Sequence, residues 1–253
     1  MTLLVTDAIV LHGMDYLETS RILRLATREG GVQAVLARGT RREKSRWGGT
    51  LDLFTEGVAH IAIRPTRELQ TLTTFEPTRP RPQLATELSR FTGASAIAEM
   101  TLRFAQEEVQ PGVYATLSDT LDGLAAADAA ATREVVLRGA WRLIGELGFA
   151  PSLDECSECH TSLADDQAVR FSHRAGGALC DTCARLAPPG RTIPGDARRV
   201  LRGWMQGEQE VLDDAALRAH QRLLREFLQE HLADGRALRA FDVWERAGWD
   251  DPV

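Results

Sequence analysis

Apolar and polar residues alternate in short runs over roughly the first 75 positions: 3–11, 21–27, 32–37, 57–63 and 69–74. Gly13, Gly30-Gly31, Gly39, Gly48-Gly49 and Pro65 separate the runs, as turn residues separate strands. Five short strands in this span predict a small closed barrel. The OB type, which binds oligonucleotides, has this strand number; periodicity leaves an SH3-like barrel open.

From Glu76 to Pro82 three prolines fall within six residues, and their missing amide donors predict a linker. Beyond it the period changes. Leu84, Leu88, Phe91, Ser95, Ala98, Leu102 and Ala105 alternate steps of four and three, which predicts a helix of about 22 residues. Helices are also expected over 113–127 and 132–147. The second of these carries Val136, Ala140, Leu143, Ile144 and Leu147 on one side and ends before Gly148. These three are expected to bundle. Asp213 or Asp214 should cap a later helix whose Leu217, Leu224, Phe227, Leu228 and Leu232 share a face. The expected class is α+β: an OB-like barrel over 1–78 and a helical domain over 79–253, with a zinc ribbon inserted at 150–190.

All four cysteines fall in one pattern. Cys156-x2-Cys159 is followed after twenty residues by Cys180-x2-Cys183, and none is left over. Two such knuckles complete the tetrahedral thiolate shell that Zn²⁺ prefers and leave no open position for a catalytic water, so one structural zinc is expected. Two disulfides would require an oxidising compartment. A redox Cys-x-x-Cys would require a thioredoxin-like βαβ setting, which surrounds neither pair. His160 and His173 are read as outer or surface residues, since four thiolates already suffice. Between Pro151 and Pro189 acidic residues outnumber basic ones by three, so this module is expected to brace the fold rather than hold phosphates.

The densest basic stretch is Arg38-Gly-Thr-Arg41-Arg42-Glu-Lys44-Ser-Arg46-Trp47, lying between two expected strands. Arg38, Arg41, Arg42, Lys44 and Arg46 with Trp47 have the makeup of a groove that binds single strands without reading sequence, cations on phosphates and an aromatic under a base. The alternative is a solvated loop with Trp47 folded into the barrel. Lys44-Ser45 superficially fits a P-loop, but Glu43 stands where that motif needs its second glycine. Gly-x-Ser-x-Gly, His-Glu-x-x-His and metal-spaced carboxylate clusters are absent from the sequence, so no catalytic reaction is expected.

The chain has 253 residues, 43% hydrophobic, with a net charge of −6, which taken alone argues against a polyanionic ligand. Location changes that: residues 1–80 hold 11 Lys/Arg against 9 Asp/Glu, so the excess of acid lies beyond the barrel. No apolar run approaches the ~18 residues of a membrane span, and the first sixteen residues lack a basic n-region and a cleavage site, so a cytoplasmic location is expected.

In this order the features resemble the RecO family of bacterial DNA repair proteins. Ala8-Ile-Val-Leu-His-Gly with Tyr16-Leu-Glu-Thr-Ser resembles its opening strand and turn, and Leu25-Ala-Thr-Arg-Glu-Gly-Gly its second strand. Val35-Leu-Ala-Arg-Gly-Thr-Arg-Arg is similar to its third strand and basic loop. The run from Val136 to Leu153 is similar to the helix leading into the family's metal module, although Gly139-Ala140 replace its usual Phe-Glu. The resemblance implies a non-enzymatic recombination mediator that binds single- and double-stranded DNA and anneals complementary strands. It further implies pairing with RecR, contact with SSB and help in loading RecA onto SSB-coated DNA. It places Arg138, with Arg142 one turn on, where the acidic SSB tail is received. The rival reading is an OB/zinc RNA-binding protein, distinguished by preference for structured RNA; a zinc hydrolase would need an open metal position.

Overall fold

The computed structural model describes residues 2–41, 45, 47–105, 109–188, 190–231 and 237–247. By contact density the chain forms two units, Met1–Thr132 with Leu238–Val253, and Arg133–Ala237.

The first unit begins with five strands: β1 (Thr2–Tyr16), β2 (Ser20–Thr27), β3 (Gly31–Ala37), β4 (Glu56–Ile63) and β5 (Leu69–Arg79). They pair in the order β1-β2-β3-β5-β4 and β4 returns to β1, so the sheet closes into a barrel. All neighbours are antiparallel except β3 and β5. Ala8, Val10, Leu23, Leu25, Val35, Ile61 and Leu72 alternate inward with Trp47 and fill the interior.

Two sequence expectations change here. The strand expected to end at Leu11 runs to Tyr16, with Gly13 inside it; the turn sits at 17–19, where Leu17 adopts φ 54°. Gly13 is a crossing point, since a Cβ there would meet the Arg21 guanidinium. The proline-rich segment is not simply a linker: Pro77 and Arg79 pair with Gly57 and Glu56 in the β5–β4 ladder. At that end β5 has no β3 partner, because β3 pairs only with Leu69–Thr71, and an edge tolerates proline.

A 3-10 turn (Pro82–Ala85) then leads into α1 (Leu88–Phe104) and α2 (Pro111–Ala126). A late helix, α7 (Arg239–Ala247), packs on α1. Its N-terminus is capped from α1: the Glu99 carboxylate accepts the backbone N–H groups of Arg239, Ala240 and Phe241 at 2.9, 2.7 and 3.1 Å.

The second unit holds α3 (Thr132–Glu146), a small sheet of β6 (Val169–Ser172), β7 (Gly177–Leu179) and β8 (Arg191–Ile193), the short α4 (Asp181–Leu186), α5 (Gly195–Gln206) and α6 (Asp214–His231). Apart from its first residue, α3 is grouped here rather than with α1 and α2, so the expected three-helix bundle is not how contacts divide. Asp213 caps α6, its carboxylate accepting the Ala216 N–H at 2.8 Å.

Candidate metal centre and basic interface

The cysteines are brought together by two local turns. In the first, Cys156 takes the Thr161 carbonyl with its N–H, and the N–H of His160 returns to the Cys156 carbonyl, both at 2.9 Å. His160 completes this knuckle through its backbone, at φ 58°. Its imidazole is exposed and faces Glu155 at 3.2 Å, so it is not among the clustered donors. In the second turn Cys180 precedes α4 and Cys183 lies on that helix. Gly177 joins them, because a Cβ there would fall on the Ser152 backbone that bridges to it.

All four Sγ atoms lie within 4.8 Å of one another, and Cys159 Sγ is 3.7 Å from Cys180 Sγ. A tetrahedron with bonds of about 2.3 Å to zinc has sulfur–sulfur edges of about 3.8 Å. Their electrostatics fit a dication. The hydroxyl and N–H of Thr161, with the neighbouring thiols, draw the Cys159 thiol down to about 6. Burial opposes ionisation of Cys156, but N–H groups of Cys180, Cys159 and Glu158 outweigh it. Cys183, sharing protons with Cys159 and Cys180, is pushed up to about 12. Several thiolates cannot coexist at this spacing unless a central cation cancels their repulsion. The group is thus suited to one metal ion.

Arginines of α5 hold the loop that carries the first knuckle. Arg202 bonds Asp154 and Asp165 at 2.7 and 2.8 Å, and the fully buried Arg198 donates to the Ala164 carbonyl. His173 at the end of β6 meets Glu226 of α6 at 2.9 Å, and Arg191 of β8 meets the same carboxylate at 3.2 Å.

On the barrel, Arg38 and Arg41 are exposed, while Arg42, Lys44 and Arg46 lie outside the described residues. Trp47 corrects the stacking expectation. It is 3% exposed within the barrel core, and its Nε1 donates to the Arg38 carbonyl at 2.8 Å. A large apolar ring beside a closed barrel gains more by burial than by display, and buried there it anchors the base of the loop. Arg41 is tied to the β1–β2 turn, through its N–H to the Thr19 carbonyl at 3.3 Å and its guanidinium to Asp15 at 3.2 Å. Arg138 is 9% exposed and pairs with Glu134 at 3.7 Å; Arg142, half-buried, lies against Gly207.

Sequence reasoning missed a buried network. Arg81 is fully enclosed and donates to Glu56 at 2.7 Å, Asp122 at 2.6 Å, and the Ser118 hydroxyl and Phe54 carbonyl at 3.0 Å. Ser118 and Tyr114 of α2 also donate to Glu56. Burial opposes ionisation of Glu56, but the Ser118 hydroxyl and the Arg81 guanidinium hold its carboxyl below the usual range. Nothing local announced it, because Glu56, Arg81 and Asp122 are distant in sequence. The overhanging hairpin was more legible: His12, Met14 and Tyr16 continue the period of two straight through Gly13.

Two family profiles match most of the chain: Recombination protein O N terminal over residues 1–81 and Recombination protein O C terminal over 85–239. A DNA repair protein RecO of Anaeromyxobacter dehalogenans (strain 2CP-C) is 34% identical over 245 residues, covering 92% of this chain and 93% of the relative. One from Anaeromyxobacter sp. (strain Fw109-5) is 33% identical over 243 residues with the same coverage. One from Nocardioides sp. (strain ATCC BAA-499 / JS614) is 31% identical over 242 residues, covering 93% and 97%.

Proposed function

The chain belongs to the RecO family, whose role is in DNA repair and recombination, and from that premise we propose that it is a non-enzymatic mediator whose OB-like barrel binds single- and double-stranded DNA and anneals complementary strands. The observation that carries this is the exposed pair Arg38 and Arg41 at the start of the basic loop, fixed at its base by the buried Trp47. Cations held there neutralise phosphates and lower the repulsion between strands, so that pairing proceeds without a bond being made or broken. Arg42, Lys44 and Arg46 extend the same loop.

Cys156, Cys159, Cys180 and Cys183 hold one Zn²⁺ in this reading. When bound, it supplies a cross-link between two turns and no reaction chemistry. The partners are RecR and SSB, with RecA loaded in consequence, and the setting is cytoplasmic; no helix in the described residues is long and apolar enough to cross a membrane. Arg138 and Arg142 are assigned to the acidic SSB tail, Arg138 exchanging Glu134 for the incoming carboxylate. If Arg138→Ala left SSB-tail affinity unchanged, that assignment would be withdrawn.

The test is annealing of complementary oligonucleotides, bare and SSB-coated, by the wild type and by a variant with Arg41, Arg42, Lys44 and Arg46 changed to Ala. The wild type is expected to anneal both, and the folded variant neither. A wild type that anneals neither overturns the mediator reading.

A further inference from the structure

We propose that the cysteine cluster is also a site of oxidation, at which hydrogen peroxide joins Cys159 to Cys180 in a disulfide and the metal ion is expelled. This rests on the zinc reading above and gives the module a response to oxidants beside its role as a brace.

The four donors are enclosed to very different degrees. Cys156 is buried, and its backbone N–H and carbonyl are both taken up by the first knuckle. Cys180 and Cys183 are half-buried, and Cys159 is exposed. A cage that only braces a fold is served as well by four enclosed sulfurs, whereas a sulfur that reacts must be reached from solvent.

The surroundings of Cys159 leave that approach open. Its chain neighbours Glu158 and His160 are exposed, and the His160 imidazole is engaged by Glu155 at 3.2 Å. The Thr161 hydroxyl lies 3.3 Å from the sulfur. Exposed Glu155, Glu158 and Asp181 stand in the same two turns as the cysteines, so an uncharged oxidant approaches more readily than an anionic one. The nucleophile is the thiolate, and a zinc ion keeps its sulfur ligands deprotonated.

A second sulfur is in place to complete the reaction. Cys180 Sγ stands 3.7 Å from Cys159 Sγ and belongs to the other knuckle, at the head of α4. Disulfide sulfurs are about 2 Å apart, so each has to move by less than about 1 Å.

The step balances with peroxide as the oxidant. The Cys159 sulfur attacks one peroxide oxygen, the O–O bond breaks, hydroxide leaves and Cys159 becomes a sulfenic acid. The Cys180 thiolate then attacks that sulfur; the S–S bond forms, the S–O bond breaks and a second hydroxide leaves. Two thiolates have passed two electrons to one peroxide. Cys156 and Cys183 remain, and two thiolates do not complete a tetrahedral shell, so the ion departs. A thiol reductant reverses the bond by exchange and restores the site. All four cysteines of the chain lie in this module, so the barrel holds no thiol for the same reaction.

The test uses the full chain loaded with zinc, its metal content measured first. Hydrogen peroxide is added with a coloured zinc indicator, at an indicator concentration that takes no metal from the untreated chain. Loss of one Zn²⁺ per chain is expected, and a thiol reductant with added zinc should restore it. Free thiols are then blocked and the disulfide is located by peptide mass mapping; Cys159 with Cys180 is expected, with Cys156 and Cys183 recovered as blocked thiols. Cys159→His keeps a zinc ligand but removes the reacting sulfur, and is expected to retain its metal in the same peroxide. The wild-type map decides the matter even if that variant does not fold. A wild type that cannot be loaded with zinc overturns the zinc reading itself. A loaded wild type that keeps its zinc in peroxide, or whose first disulfide joins any other pair, overturns this proposal while the zinc reading survives.

Discussion

The barrel and the cysteine sheet are both built mainly from antiparallel pairs, yet they are stabilised differently. The barrel has strands of 7 to 15 residues, closes on itself and encloses an apolar interior including Trp47. The barrel's unit surrounds its buried Arg81 with two carboxylates, a hydroxyl and a carbonyl, and among the described residues leaves one buried polar side-chain atom, Nε of Arg90, without a hydrogen bond. The cysteine sheet has strands of only 3 or 4 residues, does not close, and gathers around Phe171, Val169, Ala178 and Leu179. Among the described residues its unit leaves more such atoms without a hydrogen bond, including Nε and Nη1 of Arg198 and Nδ1 of His220. A long closed sheet holds itself mainly by the apolar area it buries; a short open one encloses little and gains most from a cross-link such as four cysteines on one metal ion.

Removing a metal ion from the four cysteines is expected to give the largest effect. Structural zinc contributes on the order of 10 kcal/mol or more in small modules. Chelation, with metal loss verified, should therefore abolish hydrogen-exchange protection across 152–188 while the barrel amides stay protected. Unchanged protection of 152–188 would end the comparison. Next comes Arg81→Met, which leaves the buried Glu56 with only the half-exposed Arg79, at 3.6 Å, as counter-charge and should cost up to about 3–5 kcal/mol in denaturant unfolding of the barrel's unit. Adding Glu56→Gln should recover part of the loss. Because the folded-state pKa of Glu56 lies below its usual value, its contribution is present above about 4.5 and fades as the pH falls below it. A wild type whose barrel is equally stable at acid and neutral pH would contradict this.

In the second unit, His220 is packed against Trp204, and burial pushes its imidazole down to about 4. The folded state keeps it neutral, so the stability involved is complete above the usual 6.5 and drains away as the pH falls toward 4. At about 1.4 kcal/mol per unit this is roughly 3 kcal/mol. His220→Leu should flatten the acid limb of the unfolding midpoint; an unaltered limb would locate the acid sensitivity elsewhere. The smallest change is expected from Glu99→Ala, which removes the cap of α7 and should cost about 0.5–2 kcal/mol, seen as faster exchange in 239–247 alone.

Strand number, the position of the longer helices and the cysteine cluster were legible in the chain because each has a local signature: a period of two, a period near 3.6, and a spacing of two residues between thiols. α5 and α7 were missed. The first begins at Gly195, a weak start signal, and the second is only nine residues long and depends on Glu99, 140 residues away, for its cap. The glycine signal misled at position 13, where the residue serves a crossing side chain rather than a turn. At Pro77 the missing donor costs nothing on a sheet edge.

By itself the sequence determined which residues have the chemistry: four thiols in two pairs, a run of cations, and strands enough for a small barrel. Only the tertiary structure decided which of them face outward. Trp47 and Tyr16 are both aromatics near the cations, and no local pattern separates them. Closing the barrel buries the first and extends the β1–β2 hairpin beneath the second, because burial is a property of the assembled sheet and not of any segment within it.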